Sequence, residues 1–158
     1  MAVVKKKFFA GKVNFAFWFI AFAVFMLDRF TKSLVKKNIP LNSQVSVLPF
    51  FSVSHVVNSG TAFGLFGGFQ WFFIVFSTAV IVFIILKHKF FDRFMQIVLA
   101  FILGGAFGNL FDRLVYGAVI DFIDFRFWPA FNVADCAITV SVIVVLFREL
   151  VKKKIRKV

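Results

Sequence analysis

The chain has 158 residues, of which 61% are apolar and 28 are phenylalanine. Its 19 lysines and arginines outnumber its 7 aspartates and glutamates, so the formal net charge is +12. This apolarity excludes intrinsic disorder, and a soluble domain of this length has no core large enough to bury so much apolar surface. We therefore expect one integral membrane domain over residues 1–158. Nucleic-acid binding is not expected, because the basic residues flank apolar runs instead of gathering on a soluble surface.

Cysteine and histidine give little support for disulfide or metal chemistry. Cys136 is the single cysteine, so no internal disulfide can form. His55 and His88 lie far apart in the sequence and have no carboxylate at ligand spacing, so no metal site is expected. Cys136 has no neighbouring histidine to activate it as a nucleophile and is interpreted as a small packed thiol.

Four apolar runs are long enough to cross a bilayer, at about residues 14–34, 68–86, 94–114 and 134–150. Basic residues precede the first run, fill the link between the second and third, and follow the fourth, whereas the other two links carry little positive charge. The positive-inside bias then predicts a mainly α-helical membrane protein with four transmembrane helices and both termini in the cytoplasm. As an alternative, the first run is a cleavable signal peptide, since Ala21-Phe22-Ala23 is similar to a cleavage site, although it lies inside the run.

The first outer segment, at about residues 38–66, is the only sizeable part expected outside the bilayer. It is rich in β-branched and aromatic residues, and its strand-like part is bounded by Pro40 and by Asn58-Ser59-Gly60. We expect a small β-rich sheet or hairpin here, between the first and second helices and on the membrane surface.

Most of the acidic residues lie at or beyond the expected outer ends of the helices. These five are Asp28, Asp112, Asp121, Asp124 and Asp135. A carboxylate close to the hydrocarbon is costly, which favours a functional interpretation. Asp28 and Lys32 are four residues apart and can pair on one helix face, so an interfacial ion pair is an equally simple explanation for them.

The third expected helix carries a polar stripe at its outer end. Asn109, Asp112 and Arg113 share one helix face, and they follow three glycines, at 104, 105 and 108, that allow close helix approach. The stripe is either part of a site or a polar clamp between helices with no chemistry of its own.

Asp121 and Asp135 form the most informative pair. They lie on either side of a short outer link that contains Pro129, so they belong to two neighbouring elements and can converge at one depth. Two close carboxylates share a proton and can act as acid and base towards water. Two alternatives stay open: Asn132 and Asp135 form a helix-capping box, or Asp124 replaces one member of the pair.

Four segments together resemble the bacterial lipoprotein signal peptidases, the signal peptidase II family. They are DRFTK at 28–32, NSGTAFG at 58–64, GGAFGNLFDR at 104–113 running into VIDF at 119–122, and FNVAD at 131–135. Their order and spacing on a four-helix pattern make the resemblance specific, and it covers about residues 15–150. The departures are mild: Thr61 stands where alanine is common and Cys136 where serine is common, and phenylalanine is unusually abundant.

The resemblance implies an intramembrane aspartyl endopeptidase of the bacterial inner membrane, with its active site near the outer face. Such enzymes cut prolipoproteins just before a cysteine that carries a diacylglyceryl group. The implied partners are prolipoproteins, and membrane lipids are expected to surround the protein. We expect no metal and no organic cofactor, because a proton shared between two carboxylates is sufficient to activate water. The expected state is a monomer.

The resemblance also implies roles for particular residues. Asp121 and Asp135 match the catalytic pair. Substrate-binding or site-supporting roles fall to Asn58, Gly60, Asn109, Arg113, Asn132, Ala134, Asp28, Lys32, Asp112 and Gly108. Small residues needed for close approach are matched by Gly60, Ala62, Gly104 and Gly108.

Two other classes of function are less consistent with this pattern. A proton-coupled transporter would place charged groups near the bilayer midplane, whereas here the acids gather at one face. A non-catalytic membrane scaffold would use the polar stripes only to join helices, and replacing Asp121 would then change stability and not activity.

Overall fold

Four helices form most of the part of the chain that the structure describes. The computed structural model describes residues 15–60 and 70–155. The helices are α1 (Phe15–Asn38), α2 (Gln70–Lys87), α3 (Arg93–Tyr116) and α4 (Val133–Ile155), and a short 3-10 turn follows α2. Helices were expected at all four places, but α1 and α4 run about four or five residues further than predicted, into the basic residues that follow each apolar run. Asn14, Ala62 and the predicted stretches 61–66 and 68–69 lie outside the described residues, as do the lysines before α1.

Helix α3 is the central helix, because it packs against each of the other three. Its glycines allow this close contact. A Cβ atom at Gly104 would overlap the backbone carbonyl of Ala21 in α1, and one at Gly105 would lie 2.7 Å from the backbone carbonyl of Ala134 in α4. The neighbouring Leu103 is fully buried and belongs to the apolar core shared by α1, α2 and α3. The small-residue segment of α3 therefore fixes the spacing of three helices.

A three-stranded antiparallel sheet lies at one end of the helices. Its strands are β1 (Gln44–Leu48), β2 (Phe51–Asn58) and β3 (Val119–Asp124), in the order β1-β2-β3. The first two confirm the β-rich segment expected between the first and second helices. The third differs from the prediction, which had left residues 119–124 as a link: Val56 pairs with Asp121 and Asn58 with Val119. The partner of this strand is more than sixty residues away, so local sequence gives little indication of it.

The sheet is attached to the end of α1 by apolar and polar contacts. Val35 and Ile39 pack with Phe122 of β3 in a small buried cluster. Nδ1 of His55, on β2, lies 2.7 Å from the carbonyl oxygen of Ile39.

Gly117 caps α3 directly after its last residue, Tyr116. The φ of Gly117 is 75°, a left-handed conformation that glycine adopts without strain. The chain then turns directly into β3.

The length and apolarity of the helices bear on the membrane prediction. Within residues 15–60 and 70–155, two segments are long and apolar enough to cross a bilayer, Gln70–Phe90 and Arg93–Tyr116. Helices α1 and α4 combine long apolar stretches with charged residues, Asp28 in one and Asp135 in the other. The described residues thus form a mainly helical protein with two candidate membrane helices and a small sheet.

Candidate active site

Asp121 lies on β3, facing the helices, with only 2% of its surface exposed. Two side-chain amides donate hydrogen bonds to its carboxylate. Nδ2 of Asn58, at the end of β2, lies 2.9 Å from Oδ2, and Nδ2 of Asn132 lies 2.7 Å from Oδ1. The sheet register brings Asn58 here, because β2 ends alongside the start of β3. Both oxygens of Asp121 are therefore oriented by neighbouring elements.

Asp135 lies in the first turn of α4 and is bound by the residue that caps this helix. Its backbone N–H donates to Oδ1 of Asn132 at 3.0 Å, and the backbone N–H of Asn132 donates back to Oδ2 of Asp135 at 3.2 Å. This reciprocal pair is a capping box with asparagine and aspartate. The capping interpretation of Asn132 and Asp135 is thus correct as a description of the helix start.

The cap does not remove Asp135 from the site. Its other oxygen, Oδ1, accepts a hydrogen bond of 2.8 Å from Nδ2 of Asn109 on α3. Asn132 contacts both carboxylates, Asp121 through its side-chain amide and Asp135 through its backbone. The structure therefore brings the two predicted aspartates to one place, linked by a fully buried asparagine.

Burial and the second carboxylate change the acidity of Asp121. Removal from water and, after it, the charge of Asp135 raise the pKa of Asp121 to about 7, while the amides of Asn58 and Asn132 oppose that rise. Near neutral pH this carboxyl group is therefore divided between its protonated and ionised forms. A group in that condition can give or take a proton during catalysis.

A buried cluster of charges lies behind Asp135. Nζ of Lys32 on α1 is 2.9 Å from Asp28 and 2.8 Å from Asp112 on α3. Nη1 of Arg29 lies 2.6 Å from the other oxygen of Asp112. Asp28 and Lys32 pair on α1, as their spacing predicted. Asp112, from the polar stripe of α3, joins α3 to α1 through Lys32. The pairing is more extensive than an interfacial one, since Lys32 and both carboxylates are buried.

Lys32 also connects this cluster to Asp135. Its Nζ donates to Oδ1 of Asn109 at 3.0 Å, and the amide of the same Asn109 donates to Asp135. Asn109 therefore has its carbonyl oxygen fixed by a cation, which leaves its amide pointing at the carboxylate. The orientation of the Asn109 amide is set by this charge and not by the helix alone.

Two small residues allow α1, α3 and α4 to meet beside the site. A Cβ at Gly108 would lie 2.5 Å from Oδ2 of Asp28 and 3.4 Å from Cβ of Ala134. Ala134 is completely buried, and its backbone N–H donates to Oδ1 of Asp28 at 3.1 Å. Asp28 thus connects the first turn of α4 to the charge cluster. Its carboxylate lies in the space that a side chain at residue 108 would occupy, so glycine is required there.

Arg113 and Gly60 lie at the edge of this arrangement. The guanidinium of Arg113 lies 5.2 Å from the centre of the Phe73 ring on α2, and Nη1 is 3.4 Å from the carbonyl oxygen of Asn109. The backbone N–H of Gly60 donates to Oδ1 of Asn58 at 3.0 Å and so orients the Asn58 amide towards Asp121. Arg113 is therefore a cation near the carboxylates without a direct ion pair to them among the described residues.

Not every residue considered from sequence belongs to this network. Asp124, the competing acid, accepts a hydrogen bond from the backbone N–H of Arg126 at 2.8 Å and stabilises the turn after β3. Conversely, Arg29 had no role assigned from sequence, although it forms the shortest ion pair of the buried cluster. The available signals were its position next to Asp28 and the polar stripe of α3 that contains Asp112. Sequence spacing does not show which residues of two different helices come into contact, so it did not indicate the pairing of Arg29 with Asp112.

Comparison with known proteins identifies relatives over most of the chain. Residues 20–151 match the sequence profile described as signal peptidase (SPase) II. The lipoprotein signal peptidase of Burkholderia mallei is 41% identical over 142 residues, which cover 83% of this chain and 85% of that protein. The lipoprotein signal peptidase of Polynucleobacter necessarius is also 41% identical, over 84% of this chain and 88% of the relative.

Solved structures show the same architecture. A bacterial membrane enzyme determined in meso at 2.3 Å resolution superposes with a TM-score of 0.80 and 28% identity, covering 85% of this chain and 87% of that one. A second, at 1.9 Å resolution, has a TM-score of 0.74 and 29% identity over 84% and 90% of the two chains. The named relatives are peptidases, which leaves the transporter and scaffold hypotheses without support.

Proposed function

The chain belongs to the signal peptidase II family, the aspartic endopeptidases of lipoprotein maturation, and from this premise we propose that Asp121 and Asp135 are its catalytic pair. The contact of Asn132 with both carboxylates is the observation that carries this proposal. Asn58 and Asn109 each orient one of the two acids from the opposite side. Four amide or backbone donors on two carboxylates favour one arrangement, as a site that positions a water molecule requires.

The proposed reaction uses one proton shared by the two acids. Asp135 is the ionised base and removes a proton from the attacking water, and its negative charge contributes to the raised pKa of Asp121. Asp121, whose pKa is raised to about 7, is the acid and protonates the carbonyl oxygen of the scissile peptide. When the tetrahedral intermediate collapses, the proton on Asp135 passes to the leaving amine, and Asp121 recovers its own proton from the hydroxyl group.

The substrate of the proposed reaction is a prolipoprotein whose cysteine carries a diacylglyceryl group, cut just before that cysteine. The polar site lies among helices whose outward faces are apolar, including Phe19 on α1 and Phe147 on α4. A lipidated segment can therefore approach laterally from the bilayer. All four helices are proposed to span the inner membrane, with the sheet and the aspartates at the outer face and both termini in the cytoplasm.

Exposed apolar residues support this placement for the two charged helices. The outward faces of α1 and α4 carry large side chains that are more than half exposed: Phe15, Phe19, Phe22, Val140, Ile143, Leu146 and Phe147. Soluble monomers rarely expose so many large apolar groups together. The charges of α1 near Asp28 face inward, where they are paired, so they do not oppose insertion.

The experiment that tests the substrate compares two forms of one precursor. Purified protein in detergent is incubated with a prolipoprotein that is either unmodified or diacylglyceryl-modified, and the products are identified by mass spectrometry. We expect cleavage of the modified form alone, at the bond before the cysteine. Cleavage of the unmodified form alone, or at another bond, would contradict the proposal.

A further inference from the structure

A groove of about 580 Å³ lies between α1 and α3, on the face of α1 that carries a graded set of side chains. Going along α1, its lining changes from apolar to basic: Phe25 and Met26, then Arg29, then Lys36 and Lys37. These positions recur at helical spacing, so they form one stripe. From Phe25 to Lys37 the stripe is roughly 18 Å long at the rise of an α-helix.

The opposite wall of the groove is aromatic. Phe111 and Tyr116 of α3 line it, and the guanidinium of Arg29 lies 4.8 Å from the centre of the Phe111 ring. Nζ of Lys36 lies 3.7 Å from the centre of the Tyr116 ring. The groove therefore has an apolar part towards the middle of the helices and a basic part at the end where the sheet lies.

The charge of the groove is not balanced by the protein. The cations at its floor, Arg29 and Lys32, share two buried carboxylates, Asp28 and Asp112, so that cluster is neutral. Lys36 and Lys37 follow at the exposed end, and among the described residues no acidic side chain lines the groove. Neither lysine forms an ion pair within residues 15–60 and 70–155. Two positive charges are therefore available to a ligand at this end.

We propose that this groove binds an anionic phospholipid, with the phosphate beside Lys36 and Lys37 and one acyl chain along Phe25, Met26 and Phe111. Three properties of the groove fit that ligand. Its polarity changes along its length as that of a phospholipid does, it opens on the outside of the helices, and its excess charge is positive. A neutral diacylglycerol would satisfy the apolar part and leave the lysines without a partner.

Lipid binding is measured by native mass spectrometry of the detergent-purified protein. Phosphatidylglycerol and phosphatidylcholine with the same acyl chains are added separately, and a third arm receives inorganic phosphate. We expect phosphatidylglycerol to be retained on the order of tenfold more strongly than phosphatidylcholine. Inorganic phosphate at the same concentration is expected neither to bind nor to displace the lipid, which separates a lipid site from a phosphate site.

Two variants locate the site. Lys36→Gln with Lys37→Gln is expected to remove the preference for phosphatidylglycerol, and Ser33→Trp, which fills the groove without changing charge, is expected to reduce its retention. Lys153→Gln with Lys154→Gln makes the same charge change in the last turn of α4. This control is far from the groove, because α4 begins beside Asp28 and is about 34 Å long. Its preference is expected to remain.

Several results would overturn the proposal. Equal retention of the two lipids by the unaltered chain would show that the lysines do not select charge. Loss of the preference in the α4 control as much as in the groove variant would show a general surface effect. The thermal unfolding temperature of each variant, measured in detergent without added lipid, is expected to match that of the unaltered chain, so a change in lipid binding cannot be attributed to misfolding.

Discussion

Asn132 and Asp135 bind each other through two reciprocal hydrogen bonds, from the backbone N–H of each to the side-chain oxygen of the other, at 3.2 and 3.0 Å. The same Asn132 donates its side-chain amide to Asp121. One residue therefore begins helix α4 and sets where two carboxylates meet. In this molecule the helix cap is part of the candidate site, so a structural and a catalytic role for Asp135 do not exclude each other.

The first prediction concerns the two aspartates. Asp121→Asn and Asp135→Asn are expected to lower cleavage of a lipidated precursor by about a thousandfold or more, because neither amide can exchange the proton. Asparagine keeps one acceptor oxygen, so Asp135→Asn can retain the cap bond from the backbone N–H of Asn132 and loses the bond from Asn109. Asp121→Asn likewise retains one of its two amide hydrogen bonds. The helix contacts at Gly104 and Gly105 are untouched, so the folded structure is expected to persist. Cleavage rate and thermal unfolding are measured on the same preparations.

Asp124→Asn is the matched control for that pair. It is the same chemical change three residues from Asp121, and its oxygen can still accept from the N–H of Arg126. Near-normal cleavage is expected. Turnover by either variant of the pair close to that of the unaltered chain would contradict the catalytic assignment, and a large loss of stability without loss of specific activity would favour a scaffold.

The second prediction is a dependence of activity on pH. The pKa of Asp121 is raised to about 7, so its protonated form, the proposed acid, is present below that pH and is lost above it. The rate of cleavage, as kcat/KM, is therefore expected to fall as pH increases through about 7. A rate that stays constant from mildly acidic to mildly alkaline pH would contradict this role.

Asn58 provides a way to move that transition. Its amide hydrogen bond stabilises the ionised form of Asp121 and lowers the pKa of that group. In Asn58→Ala the pKa of Asp121 is expected to rise, so the fall in kcat/KM moves to higher pH. A fall that stays at the same pH, or moves to lower pH, would show that another group titrates.

The third prediction concerns the buried charge cluster. Lys32→Met removes the cation between Asp28 and Asp112 and leaves two buried carboxylates with Arg29 alone. A loss of about 3–5 kcal/mol in the free energy of unfolding is expected, since an unpaired buried charge is costly. Lys153→Met, at an exposed lysine in the last turn of α4, is expected to change stability by less than about 0.5 kcal/mol. Chemical denaturation in mixed micelles measures both.

The fourth prediction tests the contact between α3 and α1. In Gly108→Ala the added methyl group would lie 2.5 Å from Oδ2 of Asp28, so the helices or the carboxylate must move. We expect a loss of stability of about 1–3 kcal/mol, despite the higher helix propensity of alanine. Leu114→Ala, at an exposed position of the same helix, is the control for a general effect of alanine. Greater stability of Gly108→Ala would show that the close approach is not required.

The sequence alone determined those features that depend on neighbouring residues. The apolar runs predicted four helices, because helix formation and burial in lipid are read from about twenty consecutive residues. The spacing of Asp28 and Lys32 predicted their ion pair, since residues four apart share a helix face. Strand-like composition predicted β1 and β2, and the resemblance of four segments to one family indicated the peptidase.

Tertiary structure decided what distant segments do to one another. Strand β3 forms because Val119–Asp124 finds β2 as a partner, and its register brings Asn58 to Asp121. The path from Lys32 through Asn109 to Asp135 joins three helices, and the contact of Arg29 with Asp112 joins two. Such contacts depend on how helices cross and which face is turned inward. Local spacing places the charged groups on their helices, and packing between the helices determines their partners.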